Sequence, residues 1–207
     1  MSLSTLTIER FIKELASASP TPGGGSVAAL AGAASAGLAA MVARLTVGKK
    51  KYRDNWPDME NVRDAADRLQ KEFVGLIDRD AEAYNLVTAA FNLPRDDETR
   101  ARDKAIQSAF REAASVPLET LRTVNRLIAP ITTALEKGNP NCLTDTGVAV
   151  QLMRAAALGA AYNVRINLAS IADHDFTDRL ERETNERVER ITTEAERLEA
   201  RVASALP

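Results

Sequence analysis

The chain has 207 residues, and its 27 lysines and arginines against 29 aspartates and glutamates give a formal net charge of -2. That length supports one domain with a substantial core, and the charge balance leaves neither a global basic field for nucleic acid nor an acidic tail. Aromatics at 4%, one cysteine and one histidine argue against base-stacking platforms, an intramolecular disulfide framework, His-rich metal sites and a Ser-His-Asp triad.

In chain order, Thr5 or Thr7 can cap a first helix with an apolar stripe of Ile8, Phe11, Ile12 and Leu15. The N-terminus lacks the charged start, apolar core and cleavage site of a secretory signal. With the lone Cys142 it predicts a cytoplasmic protein. Ser19 to Gly25, SPTPGGG, is a Pro/Gly hinge predicted to be non-helical. Ser26 can cap or begin a helix that Gly48 ends. Its small residues recur every fourth position, as Ala28, Gly32, Ala36, Ala40 and as Gly25, Ala29, Ala33, Gly37. Two smooth faces result, against which other helices can approach closely. Open N–H groups at the glycine-rich start favour an anion. This stretch reads equally as a packing helix behind a turn or as part of a ligand cradle. It nears bilayer-spanning length, but alanine, glycine and serine supply little hydrophobic drive and no second such run follows. A buried helix and no membrane association are expected.

Gly48 to Tyr52 then carries Lys49, Lys50 and Lys51. Asn55-Trp56-Pro57 reads as a turn opening a long helix to about Phe91, stopped by Leu93-Pro94. After a polar connector, Arg95 to Thr99, a helix starts near Glu98, with Pro117 marking a kink or new start and Pro130 a further irregularity. The Gly138-Asn139-Pro140-Asn141 loop precedes a helix from about Asp145 to Ala172, and a charged amphipathic helix runs from Thr177 to Leu206. No segment alternates at strand period and no domain boundary is visible. The prediction is an all-α, single-domain helical bundle over 1–207 with long buried helices rich in small residues.

Several polar residues interrupt apolar helices, where burial without a partner is costly. Asp80 and Tyr84 share a face, whereas Asp78 points about 200° away from Asp80. Asp145, after the GNPN loop, is explained as well by a helix start. Asn163 and Asn167 share a face, suited to ligand amide recognition or to satisfying kinked backbone. His174 is expected at a helix end on the surface and Cys142 as a small apolar filler, so no metal site is predicted.

The motifs PTPGGGSVAA at 20–29, GKKKY at 48–52, DRDAEAYN at 78–85 and AFNLP at 90–94 occur in one order with VPL at 116–118, GNPN with Asp145, and NVRINL at 163–168. Across nearly the whole chain they resemble the cyclodeaminase domain of formiminotransferase-cyclodeaminase and its stand-alone relatives, which include methenyltetrahydrofolate cyclohydrolases. The resemblance implies an all-helical fold, a homodimer or higher homo-oligomer, a tetrahydrofolate derivative as substrate and no tightly bound cofactor. It implies hydrolysis of 5,10-methenyltetrahydrofolate to 10-formyltetrahydrofolate. Cyclodeamination of 5-formiminotetrahydrofolate with ammonia release is the alternative, and a non-catalytic folate-binding protein the minor one. Asp80 and Asp145 are the expected acid–base pair, one of which can instead hold the pterin edge. Lys49 can act as an acid, and with Lys50 and Lys51 can hold the glutamate tail. Gly24, Gly25, Ser26, Asp78, Tyr84, Asn139, Asn163 and Asn167 complete the expected binding set.

Overall fold

Thr7 opens α1 (Ile8–Leu15) by accepting a hydrogen bond from the Arg10 amide, which satisfies one of the four unpaired N–H groups at a helix start. A computed structural model gives the fold and describes residues 2–95 and 100–206. The stripe predicted for α1 meets the core at Phe11 and, partly buried, at Leu15; Ile8 and Ile12 face outward.

α2 (Gly24–Arg44) is the central element, packed between α3 (Trp56–Phe91) and α6 (Leu143–Leu168). Its small residues are there because its neighbours come close. A Cβ on Gly32 would lie 2.5 Å from the Phe73 ring, and one on Gly159 of α6 would lie 3.2 Å from the Ala28 methyl. The Ser35 hydroxyl donates to the Ala149 carbonyl at 2.7 Å, so even the polar residues of the interface are satisfied. α2 is long and apolar enough to cross a membrane by length and composition, and 61% of its most apolar window is buried inside the bundle. The hinge ends two residues earlier than its composition predicts, because Gly23 is the extended N-cap and Gly24 and Gly25 already belong to the first turn. Helical geometry lapses after Arg44, and Gly48 completes the turn at φ +85°, a region that favours glycine.

A 3₁₀ turn, Lys50–Asn55, leads into α3, whose Pro57 occupies the first turn, where no N–H is needed. The helix start predicted near Glu98 lies outside the described residues; α4 (Ala101–Asn125) is described from Ala101. Pro117 sits inside α4 without breaking it. It has no N–H to give the carbonyl four residues earlier, Ala113, and that carbonyl accepts instead from the Asn167 side-chain amide at 2.8 Å. The chain turns at Arg126-Leu127, and α5 (Ile128–Lys137) carries Pro130 in its first turn. α6 ends at Leu168, earlier than predicted. α7 (His174–Ala205) starts earlier, because Asp173 caps it by accepting from the Phe176 amide. No strand occurs among the described residues, and the all-helical prediction holds.

α7 packs on α6 and α4. Arg122 of α4 meets Glu183 of α7 through two hydrogen bonds of 2.8 and 2.7 Å, and Arg187 adds a third at 2.7 Å. The Arg122 hydrogen bonds lead, against the opposing effect of burial, in taking the Glu183 carboxyl from 4.5 to about 2. A depressed carboxyl stabilises the fold above its unfolded pKa and loses that contribution as pH falls through the folded one. Glu183→Gln is therefore expected to cost about 1–2 kcal/mol at neutral pH, after discounting for the half-exposed Arg122. Urea unfolding of both proteins from pH 7 to pH 2 checks this: the gap is full above pH 4.5 and closes towards pH 2.

Candidate functional site

The N-terminal end of α2 meets α3, α4 and α6 around a cavity of about 320 Å³, the small end of the range for ligand pockets. Gly24 and Gly25 form its floor, Asp80 and Tyr84 come from α3, Phe110 from α4, and Asn163, Ile166 and Asn167 from α6.

Asp80 is fixed by its helix neighbour. The Ser26 hydroxyl lies 2.9 Å from a carboxylate oxygen and 3.0 Å from the Ile77 carbonyl, so its proton serves both acceptors. Gly25 makes this approach possible: a Cβ there would sit 2.0 Å from the Asp80 carboxylate. Burial raises the Asp80 carboxyl above the usual carboxylate range, and the hydroxyl and amide of Ser26 offset this only in part. Asp80 makes no ion pair among the described residues. A desolvated carboxylate aimed at a cavity without a cation holds a proton more readily than an exposed one and can stabilise a cationic ligand.

The two asparagines split the alternatives left open for them. Asn163 donates to the Gly159 carbonyl at 2.8 Å, and Asn167 to the Asn163 and Ala113 carbonyls, both at 2.8 Å. Asn167 therefore serves the backbone freed by Pro117. The two amide oxygens make no hydrogen bond among the described residues, and both side chains line the cavity. Tyr84 is on its rim, 43% exposed. Phe110 and Ile166 are apolar walls that sequence reasoning passed over; Phe110 reads as an ordinary core position of α4, and an isoleucine one turn from Tyr162 carries no chemical signal.

The remaining expected site residues are elsewhere. Asp78 does not line this cavity: it holds the N-terminal segment, accepting from the Ser2 and Ser4 hydroxyls and the Leu3 and Ser4 amides. Burial opposes its ionisation, but those bonds prevail and keep its carboxyl below the usual range. Asn139 lies away from this cavity, beside the C-terminal end of α2. It is 5% exposed, and its amide is bonded to the Leu45 carbonyl, the Tyr52 hydroxyl and the Asn141 amide. It ties the GNPN loop to the C-terminal end of α2.

Lys49, Lys50 and Lys51 are exposed at that same end. Asp145, half-buried in the first turn of α6, and Lys49 both act electrostatically on the buried Cys142 there. Burial and then Asp145 push the Cys142 thiol up, which suits a filler rather than a nucleophile. The 21 residues of α2 rise about 30 Å, so one chain does not gather Asp80 with Asp145 and Lys49. Among the described residues no group of three or more His, Cys, Asp or Glu is placed to hold a metal.

Comparison with known proteins gives this geometry a context. The family model described as formiminotransferase-cyclodeaminase matches residues 7–186. Methenyltetrahydrofolate cyclohydrolase of Methylorubrum extorquens is 41% identical over 174 residues, 83% of this chain and 84% of that protein. Formimidoyltransferase-cyclodeaminase of Rattus norvegicus is 31% identical over 99% of this chain, which spans 38% of that longer protein. Among solved structures, formiminotetrahydrofolate cyclodeaminase from Thermotoga maritima aligns with a TM-score of 0.84 at 32% identity, covering 99% of this chain and 97% of that one.

Proposed function

Because the chain belongs to the formiminotransferase-cyclodeaminase family, we propose that it hydrolyses 5,10-methenyltetrahydrofolate to 10-formyltetrahydrofolate, reversibly, as an enzyme of one-carbon metabolism. The observation that carries this reading is the 41% identity to a methenyltetrahydrofolate cyclohydrolase over most of both chains. The Asp80 cavity supports it chemically.

The substrate's bridging carbon, between N5 and N10, is an amidinium and already electrophilic. A water oxygen bonds to that carbon while its proton passes to the Asp80 carboxylate, giving a neutral carbinol. The carbon–N5 bond then breaks as N5 takes a proton, the hydroxyl gives up its own, and the formyl group stays on N10; one proton is released overall. Asp80 also favours the cation on arrival. The open amide oxygens of Asn163 and Asn167 accept from the donor edge of the pterin, and Phe110 and Ile166 cover its faces.

The test follows the methenyl absorbance with and without enzyme at neutral pH. Accelerated loss is expected, and decay at the uncatalysed rate would sink the proposal. Cyclodeamination is the second reading, favoured by the close fold match to the Thermotoga maritima enzyme. It requires that 5-formiminotetrahydrofolate be converted with ammonia release, at a higher kcat/KM than methenyl hydrolysis.

A further inference from the structure

The VPL motif at 116–118 places a proline inside α4, and the reaction written above gives it no part. A proline in a helix interior removes one backbone hydrogen bond and crowds the carbonyl four residues earlier. The path of the chain does not call for it: α4 continues through Pro117 to Asn125, and the ring is buried.

The missing N–H releases the Ala113 carbonyl, which lies at the wall of the Asp80 cavity. That carbonyl accepts one hydrogen of the Asn167 side-chain amide at 2.8 Å, and the Asn163 carbonyl accepts the other, also at 2.8 Å. An asparagine amide has two donor hydrogens and one acceptor oxygen. Asn167 has therefore spent both donors on backbone, one on α4 and one on its own helix. Turned over, the amide would set its oxygen 2.8 Å from two carbonyl oxygens, acceptor against acceptor. Its polarity is fixed, and only the oxygen is left for the cavity that the side chain lines. Asn163 gives the contrast. It spends one hydrogen on the Gly159 carbonyl, 2.8 Å away, and the second is uncommitted among the described residues.

A residue with an N–H at 117 would close the ordinary helical hydrogen bond to Ala113. Asn167 would then lose the partner on α4 that decides which way its amide faces, and a freed hydrogen would compete with the oxygen for the cavity. A site that offers only an acceptor favours a ligand that brings donors and rejects one that has lost them. On a pterin those donors are the ring N–H and the exocyclic amine.

We propose that Pro117 is a positioning residue that sets specificity: by withholding an N–H from Ala113 it holds the Asn167 amide oxygen in the cavity, so that the site selects a ligand presenting N–H donors. The identity of that ligand rests on the folate reading above; the orientation of the amide does not.

Two variants separate the missing N–H from the ring. Pro117→Ala restores the N–H, and its melting temperature is expected to be no lower than that of the wild type. Pro117→lactic acid, introduced by nonsense suppression, has the shape of alanine with an ester oxygen in place of the N–H. The first readout is hydrogen exchange of the Asn167 side-chain amide, followed by NMR on ligand-free protein labelled at asparagine. The wild type and the ester should protect both hydrogens, whereas in Pro117→Ala one should exchange about tenfold faster, the worth of an ordinary hydrogen bond. The second readout is calorimetric binding of 5-formyltetrahydrofolate against its 2-desamino counterpart. The wild type and the ester should prefer the amino compound by about tenfold, and Pro117→Ala should lose most of that preference. In turnover the loss should fall on KM rather than kcat, and Pro117→Ala should add nothing to Asn167→Ala.

Unchanged exchange in Pro117→Ala, or equal damage by the alanine and the ester, would make Pro117 a packing residue and overturn the proposal. So would an undiminished preference for the amino compound. Should Pro117→Ala fail to fold, the ester and Asn167→Ala decide: a preference kept in the first and lost in the second supports the proposal, and one that survives in Asn167→Ala overturns it. A wild type that binds neither folate refutes the folate reading alone, and the exchange rates then decide the role of Pro117.

Discussion

Asp80→Asn is expected to lower turnover of the methenyl substrate by about 10²- to 10⁴-fold, the usual worth of a positioned general base, while the folded protein becomes more stable at neutral pH. The two effects share a cause. Asp80 is desolvated at the floor of the cavity, and no cation compensates it. Its carboxyl is raised, so the linkage runs opposite to that of a salt-bridged acid. In the unfolded chain the aspartate ionises near 3.8. Above that pH the unfolded state gains more from ionisation than the folded state does, and stability falls until the folded carboxyl has also lost its proton. Asparagine keeps an acceptor for the Ser26 hydroxyl and removes the charge.

The Asp80→Asn variant and the wild type should thus unfold alike below pH 3.8 and diverge as pH rises, with the variant the more stable. In the same measurements the acidic limb of kcat/KM, displaced upward from the ordinary carboxylate range in the wild type, should be absent from the variant's residual activity. A variant that keeps full turnover, or one that is less stable at pH 7, would show that Asp80 is structural. A catalytic group that lowers the stability of its own fold is a common compromise at active sites.

The helices are largely legible in the sequence because each depends on near neighbours: Thr7 as a cap, Pro57 in a first turn, the fourfold spacing of small residues along α2. The start of α2 is displaced by two residues because three consecutive glycines read as a break, and only tertiary packing shows why Gly25 must be glycine while helical. The site is legible as residue types rather than as a place. Asp78 and Asp80 look alike in the chain, yet one faces Ser2 and Ser4 and the other faces the cavity. Asn139 reads as a loop residue, and its bonds to Leu45 and Tyr52 join segments far apart in the chain. Asn167 reads as the matched half of a pair with Asn163, and its bond to Ala113 depends on Pro117, far upstream in another helix. Contacts of that span leave no periodic trace.

Gly25→Ala carries the second large effect, and it separates position from identity at the same carboxylate. Alanine is favoured over glycine in a helix by about 1 kcal/mol, and Gly25 has ordinary helical geometry, so the backbone does not resist the change. The obstacle is the new methyl, 2.0 Å from Asp80 Oδ1 and 2.6 Å from its Cγ. A short side chain held by the Ser26 hydroxyl has one way to yield, rotation into the cavity with loss of that hydrogen bond. The fold should survive, with the helix preference offsetting much of the displacement. Turnover should fall by about 100-fold, since a shift of about 1 Å in a reacting group is enough for that loss. Gly24→Ala is the control: its methyl would lie 3.3 Å from the Asn163 amide nitrogen, a contact that small adjustments relieve, and its loss should be a few-fold. Equal damage from both substitutions, or unfolding by Gly25→Ala, would mean that the glycines serve the helix start rather than the approach of Asp80. Rescue is the sharper readout: Gly25→Ala combined with Asp80→Asn should be no slower than Asp80→Asn alone, because the methyl then displaces a group that no longer takes the proton.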